Sequence, residues 1–442
     1  MSLQPPLTVG KLQATLHTKA KEAPSYRFYA LYDKVYRPDV LAYAYERCRA
    51  NKGAAGVDGQ TFADIEAYGV AKWLGELVQD LKGKTYLPQA VRRVWIPKAD
   101  GKQRPLGIPT IRDRVVQMAA VLVLEPIFEA DLLPEQHAYR AGHSAHDAVR
   151  QVQALLDEGY TEVVDADLSG YFDSIPHAEL MKSVARRVSD RHLLHLVKMW
   201  LEAPVEETDE QGRKQRTTRN KDERRGTPQG GVASPLLANL YMRRFLLGWK
   251  QLGHEQRLAA RIVNYADDFV ILTRGRAAEA LAVMRGMMER LRLTVNERKT
   301  RQCSLPEETF TFLGFTFGRQ ISWRTGRAYV APTPATKKVH AICDKISEAT
   351  SGRTTWRDPA EQVAYLNQML TGWANYFRVG YVTGAWKTVQ QHACRRLRWW
   401  MRRKHREKAG HGQRYPDMYL YERLGLVNLV QRVRRLPLWA NV

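Results

Sequence analysis

The sequence is poor in cysteine and in long apolar runs. Four cysteines occur among 442 residues, far apart and without paired spacing. Such a set argues against disulfide frameworks and zinc knuckles, and it suits a reducing compartment. No run of about 18 apolar residues is present, and the N-terminus lacks the basic-then-apolar pattern of a signal peptide. We therefore expect a cytoplasmic chain with no membrane partner.

Acidic residues are also scarce relative to basic ones. The chain has 46 Asp and Glu against 69 Lys and Arg, which leaves a formal net charge of +23. A surface this basic requires a polyanionic partner, and 11 Trp and 20 Tyr are available to stack on bases. Nucleic acid is the partner that this composition favours.

The positive charge is concentrated near the C-terminus. From residue 387 onward, fourteen basic residues are opposed by three acidic ones. Residues 395–406 interleave arginines with aromatics at roughly helical spacing, which would set cations against phosphates. The alternative is a solvated basic helix on an aromatic core, and for Trp399 and Trp400 we favour inward packing. The predicted nucleic-acid-binding residues are Arg395, Arg396, Arg398, Arg402, Arg403, Lys404 and Arg406.

Two short apolar runs meet aspartates. Residues 161–167 end at Asp167, and the sequence Tyr-Ala-Asp-Asp places Asp267 and Asp268 between two further apolar runs. This pattern predicts strand ends and a tight turn between strands. Facing carboxylates are costly unless cations neutralise them, and two divalent metals about 3.5–4 Å apart would also catalyse in-line phosphoryl displacement. Taken alone, the Asp-Asp dipeptide is better explained as a polar hairpin turn.

The remaining pattern predicts an α+β fold. Helices are expected in residues 1–50, 112–128, 145–158, 234–244 and 277–291, and again past residue 334 with breaks at 352–359 and 410–416. Strands are expected in residues 91–97, 104–108, 161–167, 310–317 and 329–330, the last two at the edge of the sheet that residues 161–167 begin. Residues 206–225 are charged and poor in apolar side chains, which predicts a mobile loop. Helices packed on a small antiparallel sheet with split strand order make the α+β class.

Several blocks, in the same order along the chain, resemble the reverse transcriptases encoded by group II introns. Besides the two aspartate motifs, the similarity covers a loop, a hairpin, a helix start, a glycine-rich loop, a short Phe-Leu-Gly-Phe block and a helical region. These lie at residues 51–59, 96–109, 143–148, 226–237, 312–315 and 366–377. One such match is weak evidence, whereas many in register are strong.

The resemblance implies a right-hand polymerase with fingers, a ferredoxin-like palm and a helical thumb, or X, domain. We predict an N-terminal extension with the first fingers block, then fingers and palm, then thumb, then a short basic tail. Their bounds are residues 1–60, 61–320, 321–410 and 411–442. Many relatives continue into an HNH endonuclease with cysteine pairs, and we expect none here.

The resemblance also implies the catalytic chemistry. Asp167 and Asp267 are the expected direct metal ligands, with Asp268 beside them. Two Mg²⁺ ions, with Mn²⁺ as a substitute, would activate the primer 3′-hydroxyl and steady the leaving pyrophosphate.

Five residues are expected to bind the nucleotide. Phe172 stands where related polymerases resemble one another in placing a ring that excludes a ribose 2′-hydroxyl; the alternative is an ordinary core phenylalanine. Lys98 and Arg104 lie on opposite arms of the expected hairpin and would clamp the triphosphate. Gln229 would hydrogen-bond the sugar or a base edge. Lys299 resembles a family lysine near the pyrophosphate, with a plain surface charge as an equal alternative.

Some neighbouring features have simpler explanations. Lys102 is nearer the hairpin turn and is expected to be solvated. His143, His146 and Asp147 have a spacing that could indicate zinc, but polar residues at a helix start explain them better. Residues 136–142 depart from the family pattern, so that Tyr139 and Arg140 carry over but their flanking contacts do not.

The resemblance implies an RNA-directed DNA polymerase that also binds its intron RNA as a maturase, assisting splicing and mobility. Expected partners are intron RNA or RNA template, DNA primer, target DNA and deoxynucleoside triphosphates, at the nucleoid of a bacterium. The alternatives are a CRISPR-associated or other defence reverse transcriptase, a non-enzymatic RNA-binding splicing factor and an RNA-dependent RNA polymerase. Intact aspartates count against the splicing factor, and Phe172 counts against the RNA polymerase.

Overall fold

The computed structural model describes residues 3–97, 101, 103–209, 211–321, 325–407 and 415–433. Two lysines of the predicted fingers hairpin, Lys98 and Lys102, lie outside these ranges. No helix within them is long and apolar enough to cross a membrane.

The N-terminal part is helical, as predicted, and packs around one central helix. Its elements are α1 (Leu7–Glu22), α2 (Tyr32–Val35), α3 (Pro38–Ala50), α4 (Phe62–Tyr68), α5 (Val70–Gly83), β1 (Val91–Pro97), β2 (Gln103–Ile108) and α6 (Ile111–Glu129). Helix α6 is mostly apolar and is buried on nearly all sides, together with its polar residues Asp113, Arg114 and Gln117. Helices α1 and α3 pack against it, so the N-terminal segment shares the main hydrophobic core.

A long middle region alternates helices and strands. Its elements are α7 (Ala145–Asp157), β3 (Glu162–Ala166), α8 (Tyr171–Ser174), α9 (His177–Ala185), α10 (Arg191–Leu201), β4 (Val205–Thr208), β5 (Lys214–Thr217), α11 (Arg219–Asp222), α12 (Ser234–Gln251), α13 (His254–Arg257), β6 (Ala260–Tyr265), β7 (Asp268–Thr273), α14 (Ala277–Arg290) and β8 (Arg301–Ser304).

The palm sheet has the predicted ferredoxin-like topology. Its strand order is β6-β7-β3-β8, and every neighbouring pair is antiparallel. Helices connect β3 to β6, and α14 connects β7 to β8, which completes a β-α-β-β-α-β unit. Strands β3 and β7 are central, and Val163, Val164, Val270 and Ile271 are fully buried. This apolar centre anchors the strand ends that carry the aspartates.

The prediction of a mobile loop at residues 206–225 was wrong. Strands β4 and β5 form a hairpin that extends the fingers sheet, whose order is β2-β1-β4-β5. The buried Glu206 carboxylate binds Arg216 at 2.7 Å and Lys214 at 3.3 Å across the hairpin. Polar cross-strand pairs stabilise this hairpin in place of the apolar alternation that normally marks strands.

The strands after residue 309 do not extend the palm edge, contrary to prediction. They form a separate three-stranded sheet, order β11-β10-β9, from β9 (Phe310–Phe312), β10 (Phe315–Ile321) and β11 (Ala328–Pro334). The Phe310 and Phe317 rings stack 4.8 Å apart and share an apolar cluster with palm residues. The two sheets therefore meet through side chains rather than through backbone hydrogen bonds.

The C-terminal region is a helical thumb with its own core. Its elements are α15 (Thr336–Ala349), a 3₁₀ turn (Gly352–Thr354), α16 (Pro359–Tyr376), α17 (Thr383–Lys404), a π-helical turn (Tyr419–Arg423) and α18 (Leu429–Val433). Trp386 and Trp400 are buried at its centre. Residues 415–433, assigned from sequence to a basic tail, instead pack into this core through apolar side chains.

The segment after α16 joins the thumb to the small sheet and to the palm. At the end of α16, the Tyr376 hydroxyl donates to the Leu313 carbonyl at 2.9 Å. The backbone carbonyl of Tyr376 lies 2.6 Å from His146 Nε2 on α7. The Tyr381 amide donates to the Pro332 carbonyl at 2.9 Å. Gly380 allows this approach because a Cβ at that position would overlap the Pro332 carbonyl oxygen.

Replacing Gly380 with alanine is expected to destabilise this junction. A matched control exists in Gly275, since the two glycines have φ of +81° and +82° but only Gly380 faces a close neighbour. Both substitutions incur the backbone cost of about 1–2 kcal/mol, and Gly380→Ala adds an overlap of about 1–3 kcal/mol. Thermal unfolding should show a lower Tm for Gly380→Ala than for Gly275→Ala; equal values would contradict the close packing.

Candidate active site

The Tyr-Ala-Asp-Asp sequence forms a two-residue turn between β6 and β7, as predicted. Tyr265 and Asp268 are the last paired residues, so Ala266 and Asp267 make the turn. Ala266 has a φ of +59°, which is strained for alanine. The buried Asn264 side chain holds the turn by donating to the Ala266 carbonyl at 2.9 Å and the Asp268 carbonyl at 3.3 Å. Strain supported in this way is typical of functional sites.

Asp167 follows the neighbouring strand β3, which places it beside that turn. The Asn296 side chain donates to its carboxylate at 2.8 Å, and Lys299 Nζ lies 3.3 Å away. The Asn296 amide also donates to the Asp167 carbonyl at 2.8 Å. Lys299 therefore lies at the carboxylate cluster, which is the position that a lysine near the pyrophosphate requires. It does not lie on a remote surface.

Asp165 is a fourth carboxylate that the sequence interpretation missed. It precedes Asp167 by two residues, and side chains at this spacing on a strand share a face. The Arg301 guanidinium on β8 lies 3.4 Å from the Asp165 carboxylate, and burial raises the pKa of Asp165. The alternation of the Val-Asp-Ala-Asp segment was the signal that could have identified it.

Asp165, Asp167 and Asp268 line an open cavity of about 770 Å³ between palm and thumb. Burial is the largest cause of a raised pKa at Asp268. The charges of Asp267 and Asp167 raise this pKa further, to about 7. The side chain still opens to solvent, so the cavity is accessible. The opposite wall carries residues that no short-range sequence pattern links to the aspartates. They are Leu313, Gly314, Lys337, Lys338 and Tyr376.

The donor chemistry of the cluster fits divalent metal ions. Carboxylate oxygens are the ligands that Mg²⁺ prefers, and a carboxyl pKa raised by its neighbours marks uncompensated negative charge. Within the described ranges, no three acidic, histidine or cysteine side chains already form a metal-binding group. Asp167 is instead paired with Lys299 and Asn296, and the remaining lone pairs of its carboxylate are those that could bind an ion.

The predicted nucleotide-binding residues Phe172 and Gln229 lie close to each other. The Phe172 carbonyl accepts from the Thr227 amide at 2.8 Å, and Gln229 Nε2 lies 3.3 Å from the Asp173 carboxylate. The Gln229 carbonyl accepts from the Gly107 amide at 2.5 Å, which ties the glycine-rich loop to strand β2. The Phe172 ring is half-buried and meets Tyr171 edge-on at 5.7 Å.

Arg104 lies exposed on β2, opposite Ile96. Burial and then the charge of Asp267 raise the pKa of Tyr139, while the Arg104 charge acts in the opposite direction. The fingers hairpin and the aspartate turn are thus both within electrostatic range of Tyr139. Arg140 has a structural role: it pairs with Glu129 and donates to two backbone carbonyls.

The basic residues of α17 divide into two groups. Arg396, Arg398 and Lys404 donate to backbone carbonyls of the thumb, and Arg398 also pairs with Asp417. Arg395, Arg403 and Arg406 are exposed, and Arg402 is half-exposed. Of the two tryptophans expected inside, Trp400 is fully buried, whereas Trp399 is 39% exposed.

The histidine cluster before α7 is a helix start and not a zinc site. Ser144 caps the helix, and its side chain and amide bind the Asp147 carboxylate at 2.6 and 2.8 Å in a capping box. His143 and His146 flank this cap.

Comparisons with known proteins agree with the geometry. Residues 96–317 match the family model for reverse transcriptase (RNA-dependent DNA polymerase), and residues 339–416 match the group II intron, maturase-specific domain. Protein YkfC of Escherichia coli (strain K12) is 34% identical over 370 residues, covering 74% of this chain and 92% of YkfC. The chain belongs to the group II intron reverse transcriptase/maturase family.

Other relatives are matched over smaller shares of their length. The group II intron-encoded protein LtrA of Lactococcus lactis subsp. cremoris is 34% identical over 218 residues, covering 49% of this chain and 34% of LtrA. A chain of the partial Cas6-RT-Cas1–Cas2 complex is 21% identical with a TM-score of 0.35, covering 59% of this chain and 41% of that one. A similarity this low supports no argument about function.

Replacing Asp268 with asparagine should relieve repulsion in the carboxylate cluster. Because its folded-state pKa of about 7 lies above the ordinary value, the wild type loses stability as the pH rises through the interval between them. In metal-free buffer, Asp268→Asn should have the higher Tm at about pH 8, with the difference vanishing near about pH 4.

Added Mg²⁺ should raise the Tm of the wild type more than that of Asp268→Asn, because an ion held by the folded carboxylates would lose a ligand in the variant. Asp344→Asn, on thumb helix α15 and outside the cavity, is the control. If Asp268→Asn is no more stable than the wild type at high pH, the carboxylates do not repel one another as described.

Proposed function

We propose that this protein is an RNA-directed DNA polymerase that also binds group II intron RNA. The observation that carries the proposal is the convergence of Asp167, Asp267 and Asp268 at one edge of the palm sheet. Three carboxylates, two of them lining an open cavity next to the thumb, match what primer extension requires.

The three aspartates would hold two Mg²⁺ ions, or Mn²⁺ in their place. When bound, these ions supply charge neutralisation and Lewis acidity for in-line attack by a primer hydroxyl. Lys299 now partly neutralises Asp167 at 3.3 Å. Once relieved of that pairing, its ammonium is within reach of the same cavity and can bind phosphate oxygens.

The nucleotide would lie between the fingers sheet and the aspartate turn. Arg104 supplies a cation on β2, and Lys98 is proposed as its partner on the facing arm. Phe172 would contact the ribose and exclude a 2′-hydroxyl. Gln229 would bind the sugar or a base edge from a loop that Gly107 and Thr227 fix in place.

The maturase role is supported by the match of residues 339–416 to the maturase-specific domain. The exposed arginines of α17 lie in this region, and a basic surface binds RNA through its phosphates. A template RNA, a DNA primer and a DNA target are the corresponding partners, in a bacterial cell at the nucleoid. Binding by the protein would stabilise the RNA fold, while the RNA itself performs the splicing chemistry.

Primer extension on an RNA template tests the polymerase. The double variant Asp267→Ala/Asp268→Ala should lose extension by at least about a thousandfold, because phosphoryl transfer loses its charge stabilisation. Asp344→Ala, with an unaltered cavity, should extend normally. Wild-type protein that binds intron RNA but does not extend a primer would contradict the polymerase and retain the maturase.

Phe172→Val tests sugar selection. A smaller side chain removes the steric block, and ribonucleotide use relative to deoxynucleotide use should rise about 10- to 200-fold. Phe172→Tyr keeps the ring and should keep the discrimination. A lower Tm for Phe172→Val without a change in selectivity would make Phe172 an ordinary core residue.

A further inference from the structure

The loop between α15 and α16 presents an unusually exposed tryptophan. Trp356 is 76% exposed, the largest exposed fraction among the large hydrophobic residues of the described chain. Its neighbours in sequence, Thr355 and Arg357, are polar and charged. A single exposed hydrophobic side chain needs no functional explanation by itself; Trp356 is distinguished by the backbone that holds it and by the cations beside it.

This loop is held rigidly despite its exposure. Thr354 Oγ1 donates to the Ala349 carbonyl at 2.8 Å and accepts from the Trp400 indole at 3.0 Å. Lys404 Nζ donates to the carbonyls of Thr355 and Arg357 at 3.1 and 2.8 Å, which flank Trp356 directly. The backbone on both sides of the ring is therefore tied to α17, and binding there would cost little ordering entropy.

Cations lie against the exposed rings. The Arg357 guanidinium is 5.6 Å from the Trp356 ring and 5.4 Å from the Tyr365 ring. Arg353 is exposed on the same loop. We call Arg353, Trp356, Arg357 and Tyr365 the Trp356 platform. The adjacent Asp358 carboxylate caps α16 by accepting a hydrogen bond from the Ala360 amide at 2.8 Å. Because it is engaged in this cap, we do not count it among the ligand-binding residues.

The platform is continuous with a second aromatic–arginine group on α17. Arg396 and Arg403 lie 4.7 and 5.4 Å from the Trp399 ring. Arg403 also contacts Gly352, at the start of the Trp356 loop, where a side chain would collide with it. Alternating rings and guanidinium groups therefore run from α17 onto the loop.

We propose that the Trp356 platform binds unpaired nucleotides of RNA, with a base stacked on Trp356 and phosphates on the neighbouring arginines. Flat rings next to guanidinium groups match bases and phosphates in alternation. Paired A-form RNA offers no open base face, so a loop or bulge is the fitting element. An apolar protein partner would require a broad hydrophobic surface, which the polar surroundings of Trp356 do not provide. The proposal rests on the RNA-binding function above and assigns it a site.

Binding of oligo(A) RNA of about 12 nucleotides tests the platform. The full chain is first saturated with a blunt RNA–DNA duplex, which occupies the polymerase cleft, and fluorescence anisotropy then follows labelled oligo(A). Trp356→Ala should weaken this binding about five- to hundredfold. Its salt dependence should keep the wild-type slope, because no phosphate contact is removed.

Matched variants separate stacking from other causes. Trp356→Phe keeps a ring and should bind nearly as the wild type, whereas Trp356→Leu keeps only apolar bulk and should bind as weakly as alanine. Tyr29→Ala removes a comparably exposed aromatic, 71% exposed, from another part of the chain and should bind as the wild type. Unchanged Tm values would show that each variant is folded.

Three results would overturn the proposal: wild-type affinity in Trp356→Ala, equal affinity of the Leu and Phe variants, or an equal loss of binding to a fully paired, blunt-ended RNA duplex. Primer extension by the wild type is measured separately on the same preparation. A failure there would refute the polymerase, while the oligo(A) measurements would still decide the platform.

Discussion

Electrostatic repulsion among carboxylates at the edge of the palm sheet is the constraint on which this structure depends. Asp165, Asp167 and Asp268 line one cavity and Asp267 is next to it in the turn; burial and then repulsion from the neighbouring aspartates raise the pKa of Asp268 to about 7. Antiparallel pairing of β3 with β7 and a fully buried valine and isoleucine centre hold them together. The core thus stabilises an arrangement that its own charges oppose, as is common where function requires strain or charge.

Basic side chains from the surrounding elements lie near these carboxylates and oppose their negative charge. Lys299 and Arg301 come from the chain around β8, and Lys337 and Lys338 come from the first thumb helix. The thumb can contribute because the segment after α16 is fixed to the small sheet through Tyr376 and Gly380. In the proposed function, this geometry is a cleft for nucleic acid with the reacting groups at its base.

The basic C-terminal helix shows why charge counts are poor guides to binding sites. The sequence pattern does not distinguish the basic residues of this helix from one another. In the structure, Arg396, Arg398 and Lys404 donate to backbone carbonyls inside the thumb. Lys404 also fixes the backbone on both sides of Trp356, and it thereby helps to hold that ring in its exposed position. The candidate RNA surface therefore includes residues outside the basic run, and several residues inside the run are structural.

The sequence by itself determined the α+β class, the ferredoxin-like palm, the turn carrying Asp267 and Asp268, and the family. These follow from local periodicity and short motifs, because strand alternation and tight turns depend on neighbouring residues. Only the tertiary structure decided the hairpin at β4 and β5, the separate small sheet, and the packing of residues 415–433 into the thumb. It alone brought Lys338, Tyr376 and Asp165 to one cavity and divided the arginines of α17. Such contacts join residues far apart in the chain, and no local pattern records which distant groups will meet.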